Sequence, residues 1–405
     1  MTLAAASPIG PAAHAPWPAR LALRALRALR HGSLELQAPD GATLRFGHGE
    51  PRATIALLDW RACAATLRGG DIGFAESYIA GQWTTLDLAA LLTLLARNRD
   101  ALEALVYGRW WGALLHRARH RLNRNSRRGS RKNVHAHYDL GNAFYRLWLD
   151  PTLSYSSAWF DGDFAQPLAD AQQAKMRRAL QACALQPGQR LLEIGCGWGA
   201  LAECAARDHA AQVTGITLSR EQLVQAQQRL RDAGLGERTT LRLHDYRDID
   251  DGPYDAVVSI EMFEAVGREY WPTFFATLRR TLRPGGRACI QSIVMRDDLF
   301  ARYLRGTDFI QQYIFPGGLL PSAAAFRAQA SAAGFAVHDE LAFGADYAET
   351  LRRWRATFLA RDGALRELGF DTRFLRIWDF YLAYCEAAFE AGSTDVMQFT
   401  LTAPR

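Results

Sequence analysis

The chain is poor in the features that would place it outside a reducing compartment or across a membrane. Its six cysteines among 405 residues (Cys63, Cys183, Cys196, Cys204, Cys289 and Cys385) form no CxxC pair and follow no regular spacing. That excludes a disulfide scaffold and the usual zinc frameworks, and points to a reducing cytoplasm with no metal site. No stretch approaches the roughly 20 apolar residues a transmembrane helix needs. The N-terminus, rich in Ala and Pro, lacks the basic start and apolar run of a secretory signal. An activity directed at membranes would have to work from their surface.

What is present suits a folded protein of two domains. Hydrophobic residues make up 49% of the chain and charged residues 22%, with a net charge of +6 and a pI near 9.1. Such a basic balance favours anionic partners, either nucleic acid or an acidic membrane surface.

Residues 1–18 read as a flexible tail and 19–115 as a small, lipid-associated α+β domain. In 19–31, Arg20, Arg24, Arg27 and Arg30 alternate with Leu21, Leu23, Leu26 and Leu29, the pattern of a basic amphipathic helix. It could be a solvated face over a core-facing stripe or a helix lying on anionic lipid. Strands are expected within 33–46 around the turn Pro39-Asp40-Gly41, and helices over 53–98 with a turn at Gly69-Gly70. A basic linker, 116–132, carries Arg117, Arg119, Arg121, Arg124, Arg127, Arg128, Arg131 and Lys132. Polybasic segments bind anionic headgroups and nucleic acid by the same physics, but no stacking motif or recognition helix lies beside this one.

Residues 133–405 are expected to form the larger domain. Strand patterns at 190–194, 211–218, 239–245, 254–260 and 287–294 alternate with helical ones at 220–233 and 270–280, which predicts a Rossmann-like, doubly wound parallel α/β sheet. Helices at 348–360 and 374–391 and a late strand at 396–402 complete it.

After the first of these strands comes Glu193-Ile194-Gly195-Cys196-Gly197-Trp198-Gly199. The glycines allow a tight turn and close approach to a ligand at the C-terminal edge of the sheet. The GxGxG spacing lacks the third glycine of dinucleotide-binding loops. Glu193 stands where it can take the amino end of an amino-acid-like ligand, an arrangement that resembles the S-adenosylmethionine loop of class I methyltransferases. The second strand ends in GITLSREQ, so Thr217, Ser219 and Gln222 are neutral where an acid for the ribose is common; Ser219 could also cap a helix.

GCGWG, GITLSREQ and DYRDID together resemble the cyclopropane fatty acid synthase family. The likeness extends to Asn133-Val134-His135-Ala136-His137-Tyr138-Asp139-Leu140-Gly141-Asn142, to Tyr155-Ser156-Ser157-Ala158-Trp159, to Met262-Phe263-Glu264-Ala265-Val266-Gly267, to Tyr313-Ile314-Phe315-Pro316-Gly317-Gly318 and to Phe343-Gly344-Ala345-Asp346-Tyr347. The resemblance implies cofactor contacts from Tyr155, Ser156, Gly195, Thr217, Leu218, Gln222, Tyr246 and Arg247, beside Glu193 and Gly197 of the loop. It also implies a catalytic bicarbonate held by Ser157, Glu264, Gln291, Ile293 and Tyr347. Ser157 stands where cysteine is usual and Gln291 where many bacterial members have histidine. Plant-like members resemble this chain in having glutamine there, beside a similar EMxEAVG segment.

The reaction so implied is methyl transfer from S-adenosylmethionine to the cis double bond of a phospholipid acyl chain. The carbocation formed would be stabilised by aromatic faces, for which Tyr155, Trp159, Phe263 and Tyr347 are candidates. A base then takes a proton from the added methyl and a cyclopropane ring closes. The alternatives are a methyl-branched or methylene fatty acid by the same transfer, a small-molecule methyltransferase, and a basic nucleic-acid-binding protein. The first reading carries no nucleic acid, a membrane-surface partner at the inner face, and a possible homodimer.

Overall fold

A computed structural model describes residues 15–106 and 140–405. The tail before residue 15, the basic segment Arg117–Lys132 and most of the stretch around His137 lie outside the described residues. The chain divides into two compact units, one comprising 1–117 with 371–391, the other 118–370 with 392–405.

In the first unit, β1 (Gly32–Gln37), β2 (Thr43–His48), β3 (Arg52–Leu57) and β4 (Trp83–Thr84) form a sheet of order β2-β1-β3-β4. Along β1, Leu34 and Leu36 are buried while Glu35 and Gln37 are exposed, the period-2 alternation of a half-buried strand. The β1–β2 turn falls at the expected Pro39-Asp40-Gly41, with Gly41 at φ +85°. β3 corrects the expectation of helix from residue 53. Ala53, Ile55 and Leu57 alternate inward there, a short run that tight strand pairing to β1 settles. The helix Trp17–Leu26 is shorter than expected; Ala19, Leu23 and Ala25 face the core and Arg20 and Arg24 face water. Gly70 breaks the helix Arg61–Ile79 at φ +60°. Buried Trp83 fixes its second half, stacking on Phe74 at 4.3 Å and donating its indole N–H to Ser77 Oγ at 2.9 Å.

The helix Thr372–Glu390, which the sequence places in the larger domain, belongs to this first unit. Tyr78 donates to Asp379 at 2.5 Å, Tyr384 to Asp71 at 2.9 Å, and Arg376 to the Tyr78 carbonyl at 2.7 Å. These pairs join residues some 300 positions apart, a link that spacing does not reveal.

The second unit holds a seven-stranded sheet of order β10-β11-β9-β8-β5-β6-β7. It is made of β5 (Arg190–Ile194), β6 (Gln212–Thr217), β7 (Thr239–Leu243), β8 (Tyr254–Ile260), β9 (Leu282–Met295), β10 (Ala336–Ala342) and β11 (Thr394–Thr402). The first five are parallel, and β11 enters antiparallel between β9 and β10. This is the mixed α/β, doubly wound architecture expected. Apolar layers cover both faces, one around Phe263, Phe274 and Phe326, the other around Leu191, Ala202 and Val258. β10 is unforeseen because it is an edge strand: His338, Asp339 and Glu340 leave it little apolar periodicity. Chain order turns back between β5 and β8, and the loops leaving β5, β6, β7 and β8 gather at one sheet edge, where such folds bind ligands.

Candidate active site

The turn after β5 places Gly195 at φ +87°, and a Cβ there would come within 3.2 Å of the Met262 side chain. Glycine is thus required for both conformation and space. Glu193 is buried, and its Oε2 has no hydrogen-bond partner. Burial pushes its carboxyl up to about 8, against the Ala202 N–H and the charge of Lys175. A buried, orphaned carboxylate oxygen at a glycine turn suits a bound ammonium.

After β6, Ser219 caps the helix Arg220–Asp232 through the Gln222 N–H, and Thr217 donates to Gln222 Oε1 at 2.9 Å. Thr217 and Gln222 are therefore both buried and tied together, with half-buried Leu218 between them. After β7, Asp245 holds Arg247 through two contacts of 2.6 and 2.8 Å, and the buried Tyr246 hydroxyl lacks a partner. Asp245 escaped the sequence reading although an acid closing a parallel strand is the signal for it. Glu193, Gly195, Thr217, Leu218, Gln222, Tyr246 and Arg247 thus lie at or just after the ends of β5, β6 and β7, and Glu193 and Tyr246 carry buried polar atoms without a hydrogen-bond partner.

The second cluster is built on a residue the sequence reading did not assign. Glu261 directly follows β8 in the left-handed region, φ +50°, which is costly for a residue with a Cβ. That turn aims its carboxylate inward. Oε1 accepts from the Ser157 N–H at 2.9 Å and from Gln291 Nε2 at 2.8 Å, and Oε2 accepts from the Tyr347 hydroxyl at 2.7 Å. Ser157, Gln291 and Tyr347 are three of the five residues expected to cradle a bicarbonate; here all three donate to Glu261. Gln291 is oriented by β11, since its Oε1 accepts from Gln398 Nε2 at 3.0 Å.

The other two, Glu264 and Ile293, meet each other. Glu264 Oε1 accepts from the Ile293 N–H at 2.5 Å and the Ser292 hydroxyl at 3.1 Å, while its Oε2 is buried without a partner. Burial pushes both carboxyls up. Glu261 is drawn back down by Lys175 and by its three donors, whereas the Glu261 charge pushes Glu264 further, to about 8. Lys175 and the three donors thus favour the ionised form of Glu261, while burial and the neighbouring charge favour the neutral form of Glu264.

The aromatic candidates separate. Half-buried Tyr155 lies among the rings of Tyr145, Trp148, Phe315 and Trp354. Tyr347 is committed by its hydroxyl to Glu261. Trp159 is half-buried. Phe263 is fully buried in the core against Trp271, Phe274, Phe275 and Phe326, so it supports the turn and presents no face to a substrate.

Residues 125–399 match the family described as mycolic acid cyclopropane synthetase. A tuberculostearic acid methyltransferase of Mycobacterium tuberculosis, UfaA1, is 42% identical over 404 residues, 97% of this chain and 93% of that protein. The cyclopropane-fatty-acyl-phospholipid synthase of Escherichia coli K12 is 36% identical over 87% of this chain and 88% of its own. Among solved structures, mycolic acid cyclopropane synthase CmaA1 complexed with SAH and CTAB superposes with a TM-score of 0.63 at 37% identity, covering 67% of this chain and 98% of that one.

Proposed function

The chain belongs to the mycolic acid cyclopropane synthetase family, and on that premise we propose that it methylates the cis double bond of an unsaturated phospholipid acyl chain, with the Glu261 carboxylate as the base. The observation that carries this reading is the set of three donors closing on Glu261 at 2.7 to 2.9 Å. They hold a carboxylate of the chain itself where the resemblance places a bicarbonate, so no bicarbonate step is invoked.

S-adenosylmethionine, when bound, supplies a methyl group electrophilic enough for an alkene to attack. Glu193 and Gly195 fit its amino-acid end, and Thr217, Gln222 and Tyr246 offer polar groups for the remainder. Methyl transfer leaves a cation on the acyl chain, which the ring faces around Tyr155 favour. Glu261 then removes a proton from the added methyl and the C–H electron pair closes the three-membered ring. The proton remains on the carboxyl until it is released to water. Buried rings exclude water that would otherwise capture the cation as an alcohol.

A second outcome is favoured by one observation. A relative matched along 97% of this chain is named for a fatty-acid methylation, not for a ring. If a hydride first shifts from the methyl-bearing carbon to the cationic one, Glu261 can take its proton from the added methyl with the C–H pair forming a C=CH2 bond, and the product is a methylene acid or, after reduction, a methyl-branched one. Expression in bacteria lacking cyclopropane synthase, with methyl-labelled methionine and mass spectrometry of fatty acid methyl esters, separates the two. A labelled ring product is expected; a labelled product retaining a double bond establishes the second outcome, and the absence of labelled lipid overturns both.

The first unit is the proposed membrane contact, rather than a nucleic-acid one. Arg20, Arg24, Arg27 and Arg30 are exposed beside Trp17, which is 60% exposed. No described helix is long and apolar enough to cross a bilayer. Basic residues near an anionic surface contribute about 1 kcal/mol each. Arg20→Gln with Arg24→Gln is therefore expected to weaken co-sedimentation with anionic phosphatidylglycerol vesicles roughly tenfold to thirtyfold. Binding that is unchanged by both the substitutions and added salt would remove this contact from the reading.

A further inference from the structure

Of the 48 lysine and arginine residues, only Lys132 and Lys175 are lysines. Lys175 lies in the helix Leu168–Ala182 with 1% of its surface exposed, and its ammonium donates to Ser156 Oγ at 2.6 Å. Ser156 adjoins Ser157, whose N–H holds Glu261. The next polar residue back along the helix face, Gln172, is also fully buried and donates to the Ser156 carbonyl at 2.9 Å. A compact ammonium is thus fixed behind the segment that presents the base.

The charged groups around it come from several elements. Glu261 just after β8, Asp150 in the turn before residue 155, and Glu193 in β5 all act on Lys175. Arg229 of the helix Arg220–Asp232 acts on Asp150. Glu261 in turn faces Lys175 and the Tyr347 hydroxyl, with Glu264 as its like-charged neighbour. Lysine suits this place better than arginine because its charge is a small, rotatable point on a thin stem. An isolated ammonium buried so deeply would lose its proton; here the carboxylates oppose that loss.

We infer that Lys175 is a positioning residue for the base: pinned by Ser156, its ammonium is the fixed positive charge that keeps the Glu261 carboxylate ionised. The inference rests on the reading of Glu261 as base and adds to it the origin of that base's ionisation. It also links the two ends of the site, because the same ammonium acts on Glu193 in the cofactor turn.

With two lysines in the chain, the whole protein labelled with 15N-lysine yields two side-chain ammonium signals, and Lys175→Met identifies one of them. In the unsubstituted protein the Lys175 signal is expected to titrate near 8, where burial has lowered it. Glu261→Gln removes one of its negative neighbours and is expected to lower that midpoint by about one pH unit. A midpoint that is the same in both proteins overturns the pairing. In the reverse direction, Lys175→Met is expected to move the acidic limb of the rate profile up by about one unit, a tenfold loss at a fixed pH on that limb. A loss equal at every pH would mean a merely structural lysine. Should Lys175→Met not fold, the Glu261→Gln titration decides alone. Product formation that survives Glu261→Gln overturns Glu261 as base whatever the lysine does, so the two failures are distinct.

Discussion

Glu261→Gln is expected to lower product formation by roughly 10²–10⁴-fold while leaving the fold and the binding of S-adenosylhomocysteine intact. Glutamine keeps the volume but cannot accept a proton at this position, and its amide N–H would meet one of three groups that all donate. Glu264→Gln is the informative contrast. Burial and the charge of its neighbour favour the neutral form of Glu264, which an uncharged amide imitates, and a loss of no more than about tenfold is expected. The comparison is made with methyl-labelled cofactor and unsaturated phospholipid vesicles, counting label in extracted lipid. Equal loss in both variants would return the base to a group that both carboxylates merely support.

Removing the side chain altogether makes a sharper demand. Glu261 sits at φ +50°, a conformation glycine adopts freely. Glu261→Gly should therefore relieve backbone strain of about 1–2 kcal/mol and fold well. It should also leave the Ser157 N–H, the Gln291 amide and the Tyr347 hydroxyl converging on a space the size of a small oxyanion. Added bicarbonate or formate is expected to restore part of the lost activity in this variant and none in Glu261→Gln, where the space is filled. Rescue of both, or of neither, would mean that the three donors do not form the base site.

The same cluster shows how far the sequence could be read. The parallel strands, the glycine turn and the residues after β5, β6 and β7 were legible because each carries a local signal: an apolar run, a GxGxG spacing, a cap such as Ser219. The five residues expected around a bicarbonate fall into two sets, Ser157, Gln291 and Tyr347 on Glu261 and Ile293 on Glu264. Glu261 stood in view within the EMxEAVG segment, but whether its side chain points at Gln291 or at solvent depends on one left-handed residue, and φ cannot be read from a glutamate. A carboxylate closing a parallel strand was the available clue, as it was for Asp245. Lys175 carried a different clue, its rarity in a chain otherwise served by arginine. Long-range packing was out of reach. The helix Thr372–Glu390 joins the first unit through Tyr78–Asp379 and Asp71–Tyr384, pairs with no periodicity to announce them.

Phe263 shows the core and the chemistry meeting in one side chain, and its truncation carries the second large expectation. Its ring is fully buried, stacked on Trp271 at 5.5 Å and edge-on to Phe274, Phe275 and Phe326 at 5.1 to 5.8 Å. It lies between Glu261 and Glu264 in a short turn whose backbone closes through Ala265 N–H to Met262 O and Val266 N–H to Phe263 O, both at 3.0 Å. The ring is thus the peg that fixes both carboxylates. Phe263→Ala is expected to cost about 3–5 kcal/mol, a fall in melting temperature on the order of 10 °C. Well below that temperature it should still slow product formation by roughly 10²-fold, because a displacement of about 1 Å at the base suffices for such a loss. Phe274→Ala provides the test of the connection. Phe274 is equally buried in the same layer, but it sits in the helix Trp271–Thr281, away from the turn. It should lose comparable stability and keep most of the rate. If the two variants lose rate in step with stability, the turn is held by its own backbone bonds and Phe263 serves the core alone.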